Sequence, residues 1–302
     1  MIDKDKIATL SPRSDIAGLR RLAVHVGLLA CTATGIFLAA GTWLLVPAMV
    51  VHGVIQVALF AGLHETVHRT AFRSRRLNDT VATAIGLIHF LPANYFRRFH
   101  FAHHRYTQDP KRDPELAGPK PTTLAAYIAY ASGLVYWRDR FSELLRHASG
   151  RVTADFVPAS ERPGIVFEAR LHLAVYLCLA AAVALGWSAP LYYWALPALL
   201  GQPFLRLYLL AEHTGCPEVP DMLANTRTTH SNAFVRLVMW NMPYHTEHHA
   251  YPGIPFHALP ALHALMRPSL KVVASGYGAF HKDYLSALSA GNGEAFARPA
   301  GG

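Results

Sequence analysis

The sequence predicts an all-α integral membrane protein, with four transmembrane helices in two hairpins under a cytoplasmic, histidine-rich helical cap. Three observations carry the prediction. Segments 22–63 and 171–205 contain no Asp, Glu, Lys or Arg. Hydrophobic residues make up 52% of the 302, which is apolar for a soluble chain of this length. The basic residues gather outside those two segments, beside clusters of histidine.

Residues 1–21 are polar and mixed in charge, with no short apolar core before a small-residue cleavage site, so they do not read as a cleaved signal peptide. Residues 22–285 read as one membrane domain without repeats, and 286–302 as a disordered tail. At about 1.5 Å per residue, 22–63 can cross roughly 30 Å of hydrocarbon twice. It divides into helices near 22–41 and 43–63, with Gly41 and Pro47 around the turn. The second run divides into helices near 171–187 and 190–210, punctuated by Gly186, Trp187 and Pro190. Stretches 81–90 and 122–137 are too short to span and read as interfacial helices.

Two hairpins leave both termini and the central segment on one side. That side carries Arg13, Arg20 and Arg21, then Arg69, Arg73, Arg75, Arg76, Arg97, Arg98, Arg105, Lys111 and Arg112. Cytoplasmic loops collect such residues, so this side is predicted to be cytoplasmic. The same rule accounts for the net charge of +9. Basic residues scattered through membrane-adjacent loops do not suit nucleic acid. Cys31, Cys178 and Cys216 form neither a CxxC pair nor a disulfide framework.

Eight of the 18 histidines fall into three clusters: His64-Glu65-Thr66-Val67-His68, His100-Phe101-Ala102-His103-His104, and His245-Thr246-Glu247-His248-His249. Residues three and four apart share a helix face, so each cluster is expected to aim its imidazoles at one point. Neutral imidazole ligates iron, zinc, copper and nickel. One structural zinc takes four ligands, so eight histidines suit two metal ions. His64 and His68 end the second predicted span, and the other clusters follow on the same side of the membrane. His213, just past the last span in Ala211-Glu212-His213, is a ninth candidate. His147, His263 and His281 read as surface positions.

At these residues the chain resembles the membrane fatty acid desaturase and hydroxylase superfamily. Members carry HxxxH, HxxHH and a terminal HxxHH in this order around paired membrane helices. Residues 240–255, from Trp240-Asn241-Met242-Pro243-Tyr244 to Gly253-Ile254-Pro255, are similar to the third box and its flank. The likeness covers roughly residues 20–270. It implies a non-haem di-iron centre that uses dioxygen and two electrons to desaturate or hydroxylate an aliphatic, lipid-like substrate. Carried over residue by residue, it gives His64, His68, His100, His103, His104, His213, His245, His248 and His249 as metal ligands. No haem motif, iron–sulfur pattern or nucleotide loop is visible, so electrons are expected from a separate ferredoxin or b-type cytochrome with its reductase. Part of the basic surface would serve as its docking face.

Ligating histidines usually give their other ring N–H to a carboxylate or carbonyl. Glu65, Asp109, Asp113, Glu212 and Glu247 are expected in that supporting role, together with Asn225, Arg227 and His230. Two rival functions compete with this one. His64-Glu65-Thr66-Val67-His68 also matches HExxH, the zinc protease motif with Glu65 as general base, but that leaves both HxxHH boxes without a role. A metal transporter would place polar residues within the spans, and these runs are nearly free of them.

Overall fold

The computed structural model describes residues 2–299, and nearly all of their regular structure is helical. A short helix α1 (Lys4–Leu10) precedes α2 (Asp15–Leu38). Helix α2 begins before the predicted residue 22 because Ser14 caps it, accepting from Ala17 N at 3.2 Å. The turn after it passes through Gly41 at φ +75°, as the sequence suggests. Pro47 falls within the first turn of α3 (Leu45–Ala58), where its missing N–H costs no hydrogen bond. After a break at Leu59, α4 (Phe60–His68) continues the same path until Arg69 closes it in the left-handed conformation, φ 60°.

Helix α5 (Arg75–Ile88) is amphipathic and lies outside the spans, and α6 (Ala93–Tyr106) follows the Pro92 break. The predicted interfacial stretch 122–137 becomes two helices, α7 (Leu124–Ala131) and α8 (Leu134–Ala148), split at Gly133. Helix α9 (Arg162–Ala184) starts before the predicted 171, with Pro163 in its first turn. A π-helical turn, Leu191–Ala195, leads into α10 (Leu196–His213).

Among the described residues, three helices are long and apolar enough to cross a membrane: Asp15–Leu38, Leu45–His68 and Ala159–Ala184. The fourth predicted span, α10, carries Arg206 and Glu212 and does not join them. Trp43 is 81% exposed and Leu185 89% exposed. Side chains of that kind suit lipid better than water.

Helices α3 and α10 meet backbone to backbone. A Cβ on Gly53 would collide with the Pro197 carbonyl, and one on Gly201 with the Gly53 carbonyl. Small residues at such a crossing let two helices approach closely. This contact sets the heights of α4 and of the end of α10.

The remaining chain covers one end of these helices. It comprises α11 (Met222–Asn225), a two-residue parallel pairing of Thr228–Thr229 with Val273–Ala274, α12 (Ala233–Val238), α13 (His245–Ala250), α14 (Leu259–Met266), α15 (Tyr277–Ser289) and α16 (Gly293–Ala297). Trp240, Phe256, Leu259 and Leu262 form its buried core with Ala71 and Phe72. Arg21, near the start of α2, donates to the carbonyls of Leu237 (2.7 Å) and Arg236 (3.1 Å), so the beginning of the chain lies against this cap. The expected disordered tail is corrected in part. Residues 286–299 complete α15 and form α16, burying Leu288, Gly293 and Ala297. Residues 300–302 lie outside the described residues.

Candidate metal centre

Four helices bring the histidines together: α4 supplies His64 and His68, α6 supplies His100, His103 and His104, α10 ends on His213, and α13 supplies His245, His248 and His249. Each helix is held by its neighbours. Buried Glu168 of α9 accepts from Ala93 N and Asn94 N, both at 2.9 Å, and so caps α6. Thr246 Oγ1 donates to Thr226 O at 2.9 Å and fixes α13.

The imidazoles sort into two groups. In the first, ligand atoms of His64, His68, His100, His104 and His248 all lie within 4.8 Å of one another. The second contains His103, His213 and His249, and His245 joins it with Nε2 3.1 Å from His213 Nε2.

The expectation that each box converges on one point is therefore corrected. His100 and His104 enter the first group and His103 the second, whereas His245 and His249 enter the second and His248 the first. Helical geometry accounts for the split. Positions i and i+4 differ by only about 40° around the axis, but i+3 and i+4 diverge by about 100°. Adjacent histidines must therefore part, and each HxxHH box gives two rings to one group and one to the other.

The outer ring nitrogens decide the tautomers. His213 Nδ1 faces the Asn225 carbonyl at 3.2 Å, an acceptor only, so Nδ1 carries the proton. Thr107 Oγ1 donates to His103 O at 2.7 Å and so accepts from His249 Nδ1 at 3.2 Å. His103 Nδ1 donates to Asp113 Oδ1 at 3.0 Å. In the neutral forms of His103, His213 and His249, Nε2 then presents a lone pair inward. His103 and His213 thus face each other through two Nε2 atoms 3.2 Å apart. His100 Nε2 and His104 Nε2 stand 3.0 Å apart, and His104 Nε2 and His248 Nε2 3.2 Å apart. Two donors each about 2.1 Å from one ion stand about 3.0–3.4 Å apart. Among the described residues, the buried Nε2 atoms of His64, His68 and His249 have no protein partner. These residues fit two metal ions.

Electrostatics agrees. Burial first, then neighbouring imidazoles, hold His100, His104, His245, His248 and His249 well below the usual histidine pKa. They stay neutral, the form that ligates. His103 differs: burial opposes its charge, but Glu115 and Asp113 outweigh burial and raise its pKa.

The supporting residues divide. Asp113 holds His103 and also accepts from Gln108 N at 2.9 Å. Glu212 Oε1 lies 3.5 Å from His245 Nδ1, and Glu65 Oε1 lies 3.9 Å from His248 Nδ1. Asn225 supports His213 and donates from Nδ2 to Thr107 O at 3.1 Å. Arg227 Nη1 donates to the carbonyls of Ala211 (2.6 Å) and Thr214 (2.7 Å), fixing the chain around His213. Glu247 turns away from the rings of its own helix. It accepts from Thr228 Oγ1 at 2.6 Å and pairs with His263, tying α13 to the cap.

Two of the expected supports lie elsewhere. Asp109 sits in a surface loop, accepting from Lys111 N at 2.9 Å and pairing with Arg112 at 2.6 Å. His230 is exposed, its backbone N–H donating to Ala274 O at 2.9 Å. Three histidines expected at the surface are engaged: His147 is buried against Tyr95, His281 Nδ1 lies 2.9 Å from Tyr127 Oη, and His263 holds Glu247.

Glu115 is a residue that sequence reasoning misses. It lies on the 3-10 turn Pro114–Ala117, which Asp113 caps by accepting from Glu115 N at 2.9 Å. The Asp113-Pro114-Glu115 run is the signal that could have found it: a capping Asp and a proline start a turn that swings the next acid back towards the preceding helix.

A model of the fatty acid desaturase family matches residues 40–281. The chain is 27% identical to the sphingolipid delta(4)-desaturase DES1 of Drosophila melanogaster, over 72% of this chain and 65% of that protein. It is 25% identical to the dihydrorhizobitoxine desaturase of Bradyrhizobium elkanii, over 92% of this chain and 83% of that protein. It is 24% identical to the zeaxanthin 4-ketolase of Chlamydomonas reinhardtii, over 85% of this chain and 55% of that protein. The chain thus spans less than two thirds of the Drosophila and Chlamydomonas relatives.

Proposed function

The chain belongs to the fatty acid desaturase family, and from that premise we propose that it is a membrane oxidoreductase that desaturates a fatty acyl or lipid-like chain with dioxygen at two histidine-bound iron ions. The observation that carries this reading is the division of the box histidines into two groups whose Nε2 lone pairs converge. His64, His68, His100, His104 and His248 would hold one iron, and His103, His213, His245 and His249 the other. Bound iron would supply the dioxygen chemistry and the attack on an unactivated C–H bond. The chain's own part is to orient the rings through Asp113, Asn225 and Thr107 and to keep the centre dry. His248 is fully buried, as are the adjacent Thr246 and Glu247.

In this reading α10 is a fourth span, and both termini and the metal centre face the cytoplasm. The Arg21 contacts with α12 support a shared side. A separate electron donor would dock on the basic surface around Arg98 and Arg105. The 4-ketolase among the relatives keeps hydroxylation or ketolation of a lipid or carotenoid as a second reading. The zinc protease reading is disfavoured by Glu65, whose Oε2 accepts from Thr70 Oγ1 (2.8 Å) and Phe256 N (3.2 Å) and whose Oε1 stands beside the outward Nδ1 of His248, away from the side where a base would act.

Elemental analysis of detergent-purified protein tests the proposal. About two irons per chain supports it, and lipid profiling of expressing cells then identifies the product. One zinc and no iron, persisting after iron-supplemented growth, would overturn it.

A further inference from the structure

We propose that Glu115 is itself a metal ligand of the second histidine group, a carboxylate that completes five donors opposite the five nitrogens of the first. The inference rests on the di-iron reading above.

Four carboxylates approach the ligand rings, and they do so on different sides. Asp113, Glu212 and Glu65 stand beside the outward Nδ1 atoms of His103, His245 and His248. Glu115 alone among them stands on an Nε2: its Oε2 lies 3.4 Å from His103 Nε2. That nitrogen is also 3.2 Å from His213 Nε2, so the Glu115 oxygen stands just outside the mutually close set of His103, His213 and His249 and reaches it through His103. A separation of 3.4 Å falls within the spacing of about 3.0–3.4 Å expected for two donors on one ion.

The placement is built. Asp113 and Glu115 grip the two nitrogens of one imidazole, Asp113 from outside and Glu115 from inside. Asp113 also caps the turn that carries Glu115. The second Glu115 oxygen, Oε1, receives Lys120 Nζ at 3.4 Å, which turns Oε2 towards the histidines. Carboxylate oxygen and imidazole nitrogen together are a donor set that iron accepts. An anionic donor on one side only makes the two ions inequivalent. The first holds five neutral nitrogens, and the second four nitrogens and a charge.

Iron content and Mössbauer spectra of protein purified from cells grown on iron-57 test this. Wild type is expected to hold about two irons per chain in two distinct quadrupole doublets. Glu115→Gln, of the same shape but uncharged, is expected to lose half of the iron and one doublet. Glu115→His, which returns a nitrogen donor, should regain two irons. Lys120→Met should keep two, because a metal-bound carboxylate no longer depends on the ammonium for its charge balance. Glu115→Gln with two irons and unchanged doublets overturns the proposal. So does a pattern in which Glu115→Gln, Glu115→His and Lys120→Met lose iron alike, since Glu115 would then serve only to pair Lys120. Wild type without iron would instead overturn the di-iron reading on which the proposal rests.

Discussion

The rings of His104 and His249 stack at 4.0 Å with 13° between their planes, one from each group of ligands. They mark the seam at which the two HxxHH boxes trade partners. Each of these histidines is the last of its box, and each sits with the first histidine of that box, four residues earlier.

On the di-iron reading this arrangement makes the group, and not the box, the unit of metal binding. His104→Ala with His248→Ala, both in the first group, should cost one iron per chain, no more than either change alone. His104→Ala with His249→Ala, one from each group, should cost both. Iron per chain in the two double variants checks this. Equal losses would show that the groups are misassigned.

Asp113→Asn keeps the shape of the side chain but removes the charge that holds His103 Nδ1. Losses of about 10–100-fold in metal affinity follow removal of such partners. Competition with a chelator should show a weaker hold on one ion and an unchanged hold on the other.

Gly201→Val drives a side chain into the Gly53 carbonyl. Overpacking typically costs about 1–3 kcal/mol, and here the obstruction is backbone that cannot rotate aside. The melting temperature in detergent should fall. Iron should fall with it, because α4 and α10 each carry proposed ligands. Leu199→Val, at an exposed site on the same helix, should change neither.

Asp79 joins Arg69 (3.0 Å) and Arg97 (2.7 Å), and Arg97 Nε also donates to the Val67 carbonyl at 3.0 Å beside His68. Burial opposes the Asp79 charge, but the two guanidinium groups outweigh it and lower its pKa. A depressed carboxylate contributes stability that is present above its unfolded pKa and lost as pH falls through the folded one. Asp79 is partly exposed, so the contribution is about 1 kcal/mol or less. Asp79→Asn should therefore melt slightly lower than wild type at pH 7, and the gap should close under acid. A gap that persists at low pH would assign the effect to packing.

Three candidate spans and the clustering of the histidines were legible in the sequence because each leaves a local mark. An uncharged run as long as 22–63 hardly fits a soluble core, and histidines at i, i+3 and i+4 declare a helix. His213 was legible only through its place at the end of a predicted span. What the sequence left hidden depends on tertiary structure. Which group each ring joins is set by how α6 and α13 face each other. Glu115 and Asp109 look alike as acids near a box, and only the path of the loop separates a side chain on the metal face from one paired with Arg112. The early starts of α2 and α9 are not legible because the apolar run marks the membrane interval and not the helix, which extends beyond it to Ser14 and to Pro163. The tail from 286 reads as disordered, yet Phe296 stacks on Tyr284 at 4.8 Å and holds it down.

The inward ring nitrogens of His64, His68 and His249, buried and without a partner among the described residues, carry a consequence for the life of the chain in a cell. Buried polar atoms without a partner cost stability, so on the di-iron reading a chain made without metal is born with a defect at its centre that an ion repairs. Scarce iron should then shorten the protein's lifetime as well as silence it. A pulse-chase under iron chelation would show a shortened half-life for wild type and no further shortening for the double variant that has already lost both ions. Equal half-lives with and without iron would mean that the fold tolerates an empty centre and waits for its metal.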